Sequence, residues 1–133
     1  MDNKIPFNKP WIAGNEIENI LNVINSKSLS GDGFFTKRCS EYLREELKTK
    51  AALITHSCTA ALEMTALLTE IKSGDEVILP SYTFVSTANA FVLRGAIPVF
   101  VDIDADTLNI DPSKIESSLT SKTKVIIPVH YAG

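Results

Sequence analysis

The stretch "THSCT", residues 55–59, gathers an imidazole, three hydroxyls and a thiol between an apolar run and a segment of helical period. A loop of small residues that opens a helix leaves its first backbone N–H groups without partners. The positive end of the helix dipole lies there too, so such a turn can hold an anion, a phosphate above all. The donors would be the N–H groups of Cys58, Thr59 and Ala60 with the hydroxyl of Thr59. Plain capping, in which Ser57 or Thr59 satisfies its own helix, accounts for the same residues, and the segment alone leaves both accounts open. The stretch has neither the GxxxxGK of a nucleotide P-loop nor the GxGxxG of a dinucleotide fold, which disfavours classic nucleotide binding. Cys58 at a helix start could be an activated thiolate, but neither histidine stands at a recognisable catalytic spacing from it.

Three further clusters carry chemistry. "PSYTF" places Tyr82 and Phe84 just after an apolar run. An aromatic face there could stack on a flat heterocycle whose phosphate sits at the first cluster, or could simply pack in the core. His130 and Tyr131 in "VHYAG" follow the last apolar run, where a lone histidine is a hydrogen-bonded structural group or a ligand. Asp102 and Asp104 in "DIDAD" suggest a metal, yet the segment has no Gly turn and no ligating Glu at calcium-loop spacing. A turn explains them better, and no metal is expected.

These clusters need elements to hold them. In "NEIENILNVINS" Ile17, Ile20, Leu21 and Ile24 recur at helical spacing behind Gly14 and Asn15. "GDGFF" interrupts, and Thr36 is placed to cap a second helix. Cys39, Tyr42, Leu43 and Leu47 make its apolar stripe, opposite Arg44, Glu45 and Lys48. "AALIT" then reads as a short strand, residues 59–71 as a helix, "EVILP" as a strand and "TFVSTANAFVLRG" as a helix with Gly95 at its stop. "IPVFVDI" and "KVIIPVH" read as strands, separated by an Asp111 cap with the favoured first-turn Pro112. Strands of four to six apolar residues alternating with helices predict an α/β fold, a parallel sheet covered on both faces. Ligands of such sheets lie beyond the carboxyl ends of the strands, where all four clusters fall. The chain stops right after a buried-looking strand, where an α/β domain would continue, so the expectation is a fold cut off after about four strands.

Bulk properties narrow the classes. The 133 residues carry a net charge of -3 with the basic residues scattered, which argues against a nucleic-acid partner. No apolar run nears the roughly 20 residues of a membrane span, and "MDNKIPFNKP" lacks the apolar core of a signal peptide. The expectation is a cytoplasmic protein without a membrane partner, in which Cys39 and Cys58 stay reduced.

Taken in order, "SCTAALEM", "GDEVILPSYTFVSTANAFVLRGAIPVFVDID" and "VIIPVHYAG" resemble the N-terminal part of the DegT/DnrJ/EryC1/StrS family of sugar aminotransferases. The resemblance runs over essentially all 133 residues. It implies the large domain of a type I aminotransferase that uses pyridoxal 5'-phosphate, with residues 1–50 as an N-terminal helical segment and 51–133 as part of the cofactor-binding α/β domain. It puts the cofactor phosphate on Cys58 and Thr59, where many members have Gly-Thr or Asn-Thr, with Ser57 supporting the turn and Phe84 stacked on the pyridine ring. Cysteine fits if it contributes mainly its main-chain N–H. The resemblance further implies a homodimer with glutamate as amino donor and a nucleotide-linked 4-keto-6-deoxy sugar (a dTDP-hexose) as acceptor. Pyridoxal chemistry needs a lysine to bond the cofactor and an acid to keep the pyridine nitrogen protonated. In the family both lie beyond the position matching residue 133, and no lysine here fits the family's lysine motif. The chain therefore reads as part of a cofactor cradle, inactive by itself, with no catalytic residue to name. The other class left standing is a non-catalytic α/β module that binds phosphate or a full-length homologue; an unrelated α/β binding domain fits the three motifs poorly.

Overall fold

The computed structural model describes residues 4–131. It divides into two compact units, Met1–Ile54 and Thr55–Gly133.

The first unit holds two helices, α1 (Glu16–Ser26) and α2 (Phe34–Glu46). The predicted apolar stripe of α1 is present, but Ile17, Ile20, Leu21 and Ile24 are each more than half exposed, and neither helix buries a residue. The side chain of Asn15 makes no cap. The Glu16 carboxylate instead accepts from the N–H groups of Ala13 at 2.7 Å and Gly14 at 2.9 Å. Thr36 does not cap α2, which starts two residues earlier with Gly33 as its N-cap. An extended glycine and two aromatics at the helix start displace the hydroxyl expected there.

The second unit is the α/β body. Helix α3 (Cys58–Leu68) leads through a tight turn to β1 (Glu76–Pro80), then α4 (Val85–Val92), β2 (Ile97–Val101), the one-turn α5 (Pro112–Ile115), a 3-10 turn at Glu116–Ser118 and β3 (Thr123–Ile126). The strands form a parallel sheet in the order β2-β1-β3. Central β1 is buried from Val77 to Pro80, as its unbroken apolar run requires. Pro98 is tolerated because β2 is an edge of this sheet, where a missing N–H interrupts no ladder on the open side. One face packs Val77 and Val125 against α3 and α4 through Leu62, Ala66, Ala90 and Phe91. The other packs Ile78, Val99 and Val101 against Ile110 and Ile115. Both faces of the central β1 are covered, as an α/β sheet demands, while Phe100 of β2 and Ile126 of β3 remain exposed.

The strand count differs from expectation. "AALIT" forms no strand, and the sheet of the described residues has three. A strand exists only by pairing, and among the described residues 51–55 join no ladder, so apolar character alone leaves them as coil. Helix α3 also ends before Ile71: Glu70 turns left-handed at φ 53°, and the N–H of Ile71 returns to the carbonyl of Ala66. Gly95 closes α4 at φ 87° against Ser73, as its place in the sequence predicts.

Candidate functional site

In a parallel sheet all strand carboxyl ends share one edge. Helix α4 begins directly after β1, so its N-terminus lies at that edge. Helix α3 ends where β1 is about to begin, and a helix of eleven residues and a strand of five are both about 16 Å long. Its N-terminus therefore returns to the same edge. Ser57, Cys58, Thr59 and Phe84 are gathered there by topology.

The start of α3 is built in detail. Ser57 is its N-cap, in extended backbone, and its Oγ accepts from the N–H of Ala60 at 3.1 Å. Ser57 thus acts as a cap, and Ala60, expected among the anion-facing donors, has a partner already. Thr55 locks the approach by donating its hydroxyl to the carbonyl of Ser57 at 2.7 Å. What remains are the N–H groups of Cys58 and Thr59 and the Thr59 hydroxyl, which make no hydrogen bond among the described residues. All three lie on exposed residues at the positive end of α3. Three donors on two adjacent residues at a helix start fit one phosphate, and the Cys58 side chain has no part in the set.

Phe84 is the N-cap residue of α4 and stands 72% exposed, without a side-chain cap of its own. The core-packing account of this ring is therefore not what the structure shows. The loop beneath it is well held. The N–H of Ser81 donates to Val101 at 2.8 Å, and the hydroxyls of Thr83 and buried Thr87 meet at 2.8 Å. Tyr82 packs on Tyr131, with ring centroids 4.5 Å apart and planes tilted by 41°. The neighbouring Tyr131 phenol holds the Tyr82 phenol above its ordinary pKa. The main-chain N–H of Tyr131 donates to Asn109 Oδ1 at 3.1 Å. This pairing is invisible along the sequence, because the two tyrosines are brought together only by β1 and β3 lying side by side. His130 is exposed and makes no side-chain hydrogen bond among the described residues.

"DIDAD" is a turn. Asp104 Oδ1 accepts from the N–H of Asp106 and from both the N–H and hydroxyl of Thr107. These bonds, those of Thr107 foremost, hold its carboxyl below the usual carboxylate range. Asp102 pairs with Lys114 at 3.3 Å on the surface. A groove of about 490 Å³ between α1 and α2 is lined by Asn19, Val23, Phe34, Phe35 and Arg38. It belongs to the first unit and contains none of the residues singled out for chemistry. Cys39 and Cys58 are both free and exposed.

Comparison with known proteins matches residues 10–133 to the DegT/DnrJ/EryC1/StrS aminotransferase family. Protein MJ1066 of Methanocaldococcus jannaschii, itself uncharacterised, is 42% identical over 128 residues, which are 96% of this chain and 33% of that one. Among solved structures, Spr1654 from Streptococcus pneumoniae, classed as a sugar aminotransferase and seen in its PMP form, superimposes with a TM-score of 0.84 at 39% identity. The match covers 97% of this chain and 32% of that one. An aminotransferase from Psychrobacter cryohalolentis gives a TM-score of 0.87 at 34% identity, over 96% and 33% of the two chains. The present chain spans about a third of the length of these relatives.

Proposed function

The chain belongs to the DegT/DnrJ/EryC1/StrS aminotransferase family, and from that premise we propose that it carries the phosphate and ring cradle of a pyridoxal-phosphate-dependent sugar aminotransferase. The observation that carries the reading is the trio of donors at the start of α3 without partners among the described residues, the N–H groups of Cys58 and Thr59 with the Thr59 hydroxyl, on the sheet edge that also presents Phe84. Spr1654 in its PMP form supports the choice of ligand. When bound, the cofactor supplies an electron sink for moving an amino group between donor and acceptor. Cys58 and Thr59 donate to its phosphate, Ser57 holds the turn that aims them, and Phe84 offers a ring face to the pyridine. No lysine of this chain is given the covalent role.

The finer reading rests on resemblance. "IPFNKP", "GDGFFTKRC" and "PSYTFVSTANAFVLRGA" most resemble the dTDP-4-amino-4,6-dideoxygalactose transaminase of enterobacterial common antigen synthesis. The whole enzyme would then take its amino group from glutamate and pass it to a dTDP-4-keto-6-deoxy-hexose, as a cytoplasmic homodimer.

Pyridoxamine 5'-phosphate tests the cradle without forming covalent adducts on surface lysines. Calorimetric titration of the chain should show binding that is lost with pyridoxamine, which has the ring and lacks the phosphate. Equal affinity for the two, or none for either, contradicts the reading.

A further inference from the structure

The tyrosine pair links all three carboxyl ends of the sheet. Tyr82 follows β1, Tyr131 follows β3, and Asn109, which accepts from the Tyr131 N–H at 3.1 Å, stands on the turn that follows β2. That turn is itself closed by the Asp104 carboxylate and by the Ile103 to Ile110 bridge. Phe84 lies two residues beyond Tyr82 and has no contact of this kind, its ring being largely in solvent. An exposed ring that must meet a flat ligand gains from a backbone fixed beforehand, since ordering it at binding costs affinity.

We propose that the Tyr82–Tyr131 pair, anchored through Asn109, is a positioning clamp that fixes the β1–α4 loop and so presets the Phe84 ring for a planar phosphorylated heterocycle. Neither tyrosine touches the ligand; both act through Phe84. The packed, tilted rings do the holding. The inference rests on the cradle reading above for its ligand, while the positioning of residue 84 can be measured without any ligand.

The test places a reporter at Phe84→Trp in a Trp11→Phe background of the 133-residue chain, so that one indole is read. Its fluorescence anisotropy reports order at position 84, and quenching by pyridoxamine 5'-phosphate reports affinity. Adding Tyr131→Ala should drop the anisotropy and weaken binding by about five- to tenfold, with the far-UV melt of the sheet unchanged. Adding Tyr131→Phe instead should restore both readouts. A purely structural tyrosine would shift the melt and leave the indole as ordered as before below it. Unchanged anisotropy in Tyr131→Ala overturns the clamp, as does failure of Tyr131→Phe to restore it. If Tyr131→Ala prevents folding, Tyr131→Leu is read by the same criteria. Absence of phosphate-dependent quenching in the parent reporter would count against the cradle reading alone, because the anisotropy comparison still decides the clamp.

Discussion

The two units of the chain show the same sequence device with opposite outcomes. In α1 the apolar residues keep helical spacing as regularly as any in the protein, yet Ile17, Ile20, Leu21 and Ile24 stay in solvent. In the second unit, β1 and α4 bury Val77, Ile78, Leu79, Ala90 and Phe91 almost completely. The difference lies in the partner. A helical stripe specifies which face wants burial; the central strand with helices and loops on both sides supplies surfaces that complete it. Stability should therefore concentrate in the Thr55–Gly133 unit.

The sharpest way to break this contrast is a pair of truncations. Phe91→Ala removes a ring that is 1% exposed and should cost about 3–5 kcal/mol, read by urea denaturation. Ile20→Ala, on the open face of α1, should stay within about 0.5 kcal/mol. Equal costs would mean that α1 is as firmly packed as α4.

Glycines sharpen it further. Gly95 has φ 87°, and an added Cβ would come within 2.9 Å of Ser73 Cα, while Gly14 has φ 110° with open space around it. Gly95→Ala should destabilise by about 2 kcal/mol or more, combining strain with a backbone clash. Gly14→Ala meets the strain alone and should cost about 1 kcal/mol. Thermal melts of both variants order the two.

The smallest expected effect is on acid sensitivity. Bonds from Thr107 lower the pKa of Asp104, bonds from Ser113 lower that of Asp111, and the main-chain N–H of Ala13 foremost lowers that of Glu16. A carboxyl whose folded pKa lies below its unfolded one stabilises fully above the unfolded value, near 4, and loses that contribution as pH falls through the folded value. Stability should be flat from neutral pH down to about 5 and decline below it. Asp104→Asn should reduce the slope of that decline more than Glu16→Gln, because Asp104 braces a turn of the packed unit. The reverse order in melts taken across the acid range would contradict the ranking.

Much of this was legible in the residues themselves. The continuous run "EVILP" announces a strand buried on both faces, and Asp111-Pro112 announces a helix start, with the Asp111 carboxylate accepting from the N–H of Ser113. What escaped was whatever depends on distant pairing. "AALIT" has the composition of a strand and joins no ladder among the described residues. The end of α3 is set by Glu70 adopting a conformation that glycine usually signals. In the candidate site, Ser57, Cys58, Thr59 and Phe84 stood out by type and position, whereas the Tyr82 contact with Tyr131 depends on β1 and β3 being adjacent, which no local spacing encodes.

The central claim is that the start of α3 holds a phosphate through Thr59 and the main chain of Cys58. It is tested most directly by titrating Thr59→Val and Cys58→Ala with pyridoxamine 5'-phosphate beside the parent chain. Valine keeps the shape and the main-chain N–H but removes one hydrogen bond to a charged group, worth about 1.5–3 kcal/mol. Affinity should fall by roughly ten- to a hundredfold with helicity intact, while Cys58→Ala, which retains its N–H, should bind as the parent does. Normal binding by Thr59→Val together with lost binding by Cys58→Ala would contradict the account and assign the site to the thiol.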